Sequence, residues 1–236
     1  MRAMSRPAPR QVAEHHRLCF VSSAHSDVGL RRTANEDSFH ADDALGLYVV
    51  ADGMGGHRDG AEASKRAVAA FVRTIKSGGS PREAGRAADL GVRTIEGNRG
   101  YANLSPGSTL TAIILSAAGA QIAHVGDSEA WRMDKDGLFQ KITHDHSGMF
   151  GLDNFCGLGD AHGQFFVDVV GREVNPGDRF LLASDGLRKH LKEAEIQTAL
   201  QTQAIEGMAE RMVTICNERG GKDNITVIAI EVRGQA

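Results

Sequence analysis

Four aspartates each stand against an apolar, β-prone run. Asp52 follows Leu47-Tyr48-Val49-Val50-Ala51, Asp127 closes Ile122-Ala123-His124-Val125-Gly126, Asp185 comes after Arg179-Phe180-Leu181-Leu182-Ala183-Ser184, and Asp223 precedes Ile225-Thr226-Val227-Ile228-Ala229-Ile230. Gly53, Gly55 and Gly56, which come after Asp52, can take backbone angles that a Cβ forbids. If the runs pair as antiparallel neighbours, the end of one and the start of the next share a sheet edge, and the four carboxylates crowd together. Two like charges about 4 Å apart repel by roughly 4 kcal/mol at an effective dielectric near 20, so such a cluster either protonates or gathers cations. Oxygen donors without Cys or His at ligand spacing favour Mg²⁺ or Mn²⁺ over Zn²⁺. One Asp-Gly or Asp-Ser alone would be read as a turn cap; four beside matched runs point to a site.

Other reactive residue types carry less. In Arg31-Arg32-Thr33-Ala34-Asn35-Glu36-Asp37 a basic pair precedes an acidic pair, and the planar fork of Arg32 suits phosphate oxygens. Asp134-Lys135-Asp136-Gly137 opens like a calcium loop but lacks the closing glutamate, so a hairpin turn is expected. His144 and His146 have no third ligand nearby and are expected to be ordinary loop residues. Cys19, Cys156 and Cys216 are odd in number and far apart, and none has the His and Arg neighbours of a cysteine-phosphatase loop. They read as buried hydrophobes in a reducing cytoplasm.

The elements that must position these groups can be outlined. Residues 18–28 read as a strand, 58–76 and 81–96 as helices with Ser80 capping the second, and 107–115 as the start of a β-rich middle turning at Ala118-Gly119. A loop without period covers 143–163; strands follow at 165–170 and 179–183, helices at 193–200 and 205–219, and a last strand at 224–232. That order predicts an α+β sandwich with antiparallel sheets inside.

The 236 residues, 41% hydrophobic, suit one domain, expected over 18–233 and monomeric, after a frayed tail at 1–17 that is rich in Arg, Pro and His. With 27 basic and 30 acidic residues and no basic stripe, nucleic acid is not the expected partner. The longest apolar stretch, 110–125, is broken by Ser116, Gly119 and Gln121, so neither a membrane span nor a signal peptide is expected.

Taken in order, Arg32-Thr33-Ala34-Asn35-Glu36-Asp37, Val50-Ala51-Asp52-Gly53-Met54-Gly55-Gly56-His57, Gly107-Ser108-Thr109, Val125-Gly126-Asp127-Ser128, Ala183-Ser184-Asp185-Gly186 and Lys222-Asp223-Asn224-Ile225-Thr226 resemble the ordered motifs of the bacterial protein phosphatase 2C family, metal-dependent serine/threonine phosphatases. The resemblance covers about 21–232 and implies a four-layer αββα sandwich. It also implies that Asp52 bridges two Mn²⁺ or Mg²⁺ ions, with the Gly53 carbonyl on the second and Asp185 and Asp223 completing the first. Glu36 and Asp37 would hold the second ion directly or through water, Asp127 with Asp185 a weaker third, and Arg32 the phosphate.

A water between the ions would attack phosphoserine or phosphothreonine in line, without a covalent intermediate. Met54 stands where eukaryotic relatives have a histidine, so a water held by the metals is the expected acid ahead of His57. Phosphorylated proteins are the implied substrates, with a bacterial serine/threonine kinase or its forkhead-associated substrates as implied partners. Two departures bear on this: Glu129 stands where relatives often have Arg, and the flap at 144–163 is short and lacks the usual Thr-Arg-Ala ending. The competing class is a non-catalytic, phosphatase-like binding module, which should have lost metal ligands that are all present here.

Overall fold

The computed structural model describes residues 18–54, 58–96, 105–148, 151–159 and 165–234. The expected tail at 1–17, the histidine at 57 and parts of the 144–163 flap lie outside them. The first half of the chain forms β1 (Leu18–Asp27), β2 (Asp37–Asp42), β3 (Leu47–Met54), α1 (Arg58–Lys76), α2 (Pro81–Arg93), β4 (Gly107–Ser108), β5 (Leu110–Ser116) and β6 (Gly119–Val125). The second half forms β7 (Glu129–Met133), β8 (Phe139–Lys141), β9 (Ser147–Gly148), β10 (Gly151–Leu152), β11 (Asp168–Arg172), β12 (Arg179–Ala183), α3 (Asp185–Arg188), α4 (Glu193–Thr202), α5 (Met208–Glu218) and β13 (Ile225–Gly234).

Two antiparallel sheets lie back to back. One has the order β1-β13-β12-β7-β8 and the other β11-β6-β5-β3-β2, with β4 paired to the end of β3. Three apolar clusters glue the layers. The first joins Leu47, Val49, Ala51 and Leu110 to Ala63, Ala67, Phe71, Ala88 and Val92 of α1 and α2. The second joins Leu181, Ile225, Val227 and Ala229 to Ile196, Leu200, Met212 and Val213 of α4 and α5. The third fills the seam between the sheets with Tyr48, Val50, Ile113, Phe180, Leu182, Ile228 and Ile230. The result is the expected αββα sandwich, and strands buried on both faces explain why β3 and β13 read as unbroken apolar runs.

Local expectations meet the structure closely in places. Ser80 caps α2 with a full capping box, its hydroxyl taking the Glu83 N–H while the Glu83 carboxylate takes the Ser80 N–H. Asp134 Oδ1 accepts the N–H groups of Asp136 and Leu138 at 3.0 and 2.8 Å, which is a turn and not a calcium loop. The strand expected at 165–170 instead runs Asp168–Arg172, and α5 begins at Met208, after Gly207 at φ +72°. β2 and α3 were not anticipated. Among the described residues no helix is long and apolar enough to cross a membrane.

Candidate active site

Strand alternation decides which carboxylates meet. In β3, Leu47, Val49 and Ala51 face the helices while Tyr48 and Val50 face the seam, and the next position in the seam series is Asp52. β2 runs antiparallel beside it with Asp37 opposite Asp52. In the other sheet Ala183 of β12 lies opposite Val227 of β13, which brings the Ser184-Asp185 turn beside Asp223 and Thr226. The expectation of a single sheet edge is thus corrected. Asp52 and Asp127 end strands of one sheet, Asp185 and Asp223 flank strands of the other, and they meet across the seam.

The seam is stitched by hydroxyls. Asp37 is buried; its Oδ2 accepts from Ser184 Oγ at 2.8 Å and Thr226 Oγ1 at 2.6 Å, both from the opposite sheet, while its Oδ1 is buried without a partner. Asp52 N–H donates to Thr109 Oγ1 at 2.8 Å, and Thr109 N–H donates back to the Asp52 carbonyl at 2.9 Å. Asn224 accepts the Glu36 N–H at 2.9 Å and donates its amide to the carbonyls of Val28 and Ala34, clamping the loop that carries Arg32 and Glu36.

Two glycines permit close approach. A Cβ at Gly186 would lie 1.9 Å from the Asn224 carbonyl oxygen, and one at Gly60 would lie 2.6 Å from Glu36 Oε2.

The expected residues Arg32, Glu36, Asp52, Gly53, Asp127, Asp185 and Asp223 line one cavity of about 280 Å³, joined by Met54, Thr109, Leu152, Lys189 and Asn224. Asp37 lies immediately behind it, in register with Asp52. At the rim, Arg32 grips Asp223 with Nε at 2.8 Å and Nη2 at 3.0 Å. Lys189 reaches in from the end of α3, its Nζ 2.6 Å from Asp185 Oδ2 and also on Asp223 Oδ2.

The electrostatics follow from this crowding. Burial, and then the charges of Asp37, Asp185, Asp127 and Asp223, hold the Asp52 carboxyl well above the usual carboxylate range. Burial pushes Asp37 up to about 6 against the pull of the Thr226 and Ser184 hydroxyls. Burial, with Asp185 and Asp145, pushes Asp127 up to about 6 as well. Asp223 goes the other way: burial opposes, but Lys189, Arg32 and the Asn224 N–H together hold it below its ordinary value.

Oxygen donors, and unpartnered buried Oδ1 atoms on Asp37 and Asp185, fit a hard divalent cation. Among the described residues, no group of three or more His, Cys, Asp or Glu side chains is closed around one point; instead the Lys189 ammonium lies between Asp185 and Asp223.

Neighbouring residues resolve two open points. Glu129 is buried and spoken for, with Lys141 Nζ at 2.5 Å, Arg188 Nη1 at 2.6 Å and the Trp131 indole N–H at 3.2 Å. His146 is a structural residue: its Nδ1 accepts the Gly126 N–H at 3.1 Å, so its Nε2–H donates to Asp168 at 3.1 Å. The 151–159 segment is tied from beneath, Asp89 Oδ1 of α2 accepting the N–H groups of Gly157 and Gly159 at 2.8 and 3.1 Å. Ser108 and Cys156 exchange backbone bonds at 3.0 and 2.8 Å. Cys156 and Cys216 are buried, and burial pushes the Cys216 thiol up to about 12, which leaves neither as a nucleophile.

Sequence reasoning missed Lys189, Thr109, Ser184, Thr226, Asn224 and Gly60. The last five lie inside or beside quoted motifs, but a hydroxyl in a strand looks like ordinary β-propensity until its partner is known. Lys189 had one available signal, its position four residues after Asp185.

An αββα sandwich with an oxygen-lined cavity and an arginine at one end of its seam is built to hold hard cations and phosphoryl oxygens side by side. The chain belongs to the protein phosphatase 2C family, whose profile matches residues 24–227. The serine/threonine protein phosphatase PstP of Mycobacterium tuberculosis is 32% identical over 236 residues, an alignment covering 89% of this chain and 44% of PstP; the chain thus spans less than half of that relative's length. Among solved structures, PppA, a key regulatory component of T6SS in Pseudomonas aeruginosa, matches with TM-score 0.78 at 29% identity over 91% of this chain and 99% of that one. The catalytic domain of PstP in complex with two manganese ions matches with TM-score 0.76 at 30% identity, over 92% and 99%.

Proposed function

We propose that this chain is a divalent-metal-dependent protein phosphatase that hydrolyses phosphoserine and phosphothreonine. The observation that carries the reading is the cavity in which Asp52, Asp185 and Asp223 from opposite sheets converge beside Arg32. Asp52, Asp185 and Asp223 would hold one Mn²⁺ or Mg²⁺ ion, Asp52, the Gly53 carbonyl, Glu36 and Asp37 the second, and Asp127 with Asp185 a weaker third. Bound there, the ions supply a water of lowered pKa and neutralise charge on the phosphoryl group.

The protein's own contribution is placement. Thr109 and the Glu36 carbonyl fix the backbone on either side of Asp52 and Gly53. Ser184 and Thr226 fix Asp37 Oδ2, while its Oδ1 is left without a hydrogen-bond partner. Arg32, half-exposed at the mouth, offers its guanidinium to the incoming phosphate oxygens and orients them. The kinship with PstP, and the two manganese ions in its catalytic domain, support this reading. A cytoplasmic setting, opposition to a serine/threonine kinase and forkhead-associated substrates belong to the same proposal. The likeness to PppA supports a regulatory role.

The test is turnover of a phosphothreonine peptide in Mn²⁺ and then in excess chelator, with Asp52→Asn and Asp185→Asn alongside. The expected outcome is activity in metal only, and a loss of at least a hundredfold in each folded variant, the scale on which metal-borne charge stabilisation acts. Turnover that persists in chelator sinks the mechanism, and full activity in either variant sinks the assignment.

A further inference from the structure

We propose that Lys189 is a tethered counter-ion that competes with the first divalent ion for Asp185 and Asp223, and so sets how much metal the site demands. This rests on the metal reading above. Lys189 stands four residues after Asp185, at the C-cap of the short helix α3, and its Nζ bridges one oxygen of Asp185, at 2.6 Å, and one of Asp223. Asp223 is also gripped by Arg32, so this pair of carboxylates already has two cations from the chain itself.

A divalent ion of the Mg²⁺ class binds carboxylate oxygens at about 2.0–2.1 Å, which is the space the ammonium fills. Asp185 keeps its Oδ1 open, but both oxygens of Asp223 are taken, Oδ1 by Arg32 and the Asn224 N–H and Oδ2 by Lys189, so an ion that takes Asp223 Oδ2 must displace the lysine, and the lost ion pairs subtract from metal affinity. The displaced side chain has somewhere to go. A second cavity of about 230 Å³ adjoins the first, lined by Asp127, Glu129, Asp145, Asp185, Arg188 and Lys189 itself. The lysine is 40% exposed and sits on the wall common to both cavities, so the movement needs only its own side-chain torsions. Asp127 offers the ammonium another carboxylate there, Asp145 being paired with Lys141 at 2.7 Å.

The test is Mn²⁺ binding by isothermal titration calorimetry on the full chain, wild type against Lys189→Met, with circular dichroism to verify folding and no substrate present. The inference expects Lys189→Met to bind Mn²⁺ roughly five- to tenfold more tightly, the scale of a partly exposed ion pair released on binding. It also expects the metal-free variant to melt below the metal-free wild type, because Asp185 and Asp223 then lack their neutraliser, and to gain more from Mn²⁺. Equal or weaker Mn²⁺ binding by the folded variant overturns the inference and leaves the metal reading standing. No Mn²⁺ binding by either protein overturns the metal reading and the inference with it. Should Lys189→Met not fold, Lys189→Gln, whose neutral amide still donates to one carboxylate, carries the same comparison.

Discussion

Asp37 shows how much of this site depends on single hydroxyls. A carboxyl buried beside Asp52 is tolerated because Ser184 and Thr226 reach its Oδ2 from the facing sheet. Removing one of those donors leaves a buried acceptor short of a bond, at a cost of about 1–3 kcal/mol. Thr226→Val is nearly isosteric and should lower stability by that amount while weakening Mn²⁺ binding. Urea denaturation with and without metal checks it, and an unchanged midpoint in both would refute the role. The four strand-flanking aspartates were legible from sequence because the same placement beside an apolar run recurs four times, where one alone reads as a turn cap. Arg32 was singled out by the planar fork that suits phosphate oxygens, whereas the roles of Glu36 and Asp37 came through the family resemblance, since an acidic pair on a loop carries no period of its own. Lys189 offered only its spacing of four from Asp185, because its other partner, Asp223, is distant in sequence.

At the scale of elements, β6 links the site to a histidine pair. His124 lies three residues ahead of Asp127; its Nε2 meets the His144 carbonyl at 3.0 Å and its Nδ1 the Thr111 hydroxyl at 2.9 Å. Its ring is 4.7 Å from that of His146, with Asp168 and Asp145 the nearest acids. Burial, and then His146, push the His124 imidazole down to about 4.

The unfolded chain binds that proton near pH 6.5 and the folded chain only near 4, so stability is held above 6.5 and lost as pH falls toward 4. One such group contributes a slope of about 1.4 kcal/mol per pH unit, roughly 3 kcal/mol across the window. His124→Gln should flatten that slope in denaturation midpoints between pH 6.5 and 4, and an unchanged slope would contradict it. The long helices and buried strands were readable from their periods, and Ser80 from its capping box. β2 was not: Asp-Ser-Phe-His-Ala-Asp is an edge strand with Phe39 exposed, and its polar residues answer to Asp52 and to the facing sheet rather than to a simple alternation.

For the whole molecule, the decisive fact is that the proposed ligands belong to two sheets. A cation held jointly by Asp52 and by Asp185 and Asp223 would bind only the folded chain, since unfolding scatters those residues. At about a hundred times its dissociation constant such an ion adds about 2.7 kcal/mol, or roughly 5–10 °C in melting temperature for a domain of this size. Differential scanning calorimetry in Mn²⁺ against chelator measures it directly. A coincident pair of transitions would mean that no ion spans the seam. An α+β sandwich with antiparallel sheets inside was legible from the order of apolar strands and amphipathic helices, and the four layers came through the family resemblance; that the carboxylates meet across the seam was not legible, because strand order within a sheet is written in no single segment.

The 151–159 segment is fastened at its root, with Asp89 holding Gly157 and Gly159 and Ser108 holding Cys156, while Leu152 overhangs the cavity. It is built like a bracket bolted to a wall, with its load carried at the outer end. Exchanging Leu152 would change the lining of the cavity and leave the anchoring bonds of Asp89 and Ser108 untouched. The shape of the cavity's outer wall can therefore vary at the bracket's tip while the carboxylates behind it keep their places.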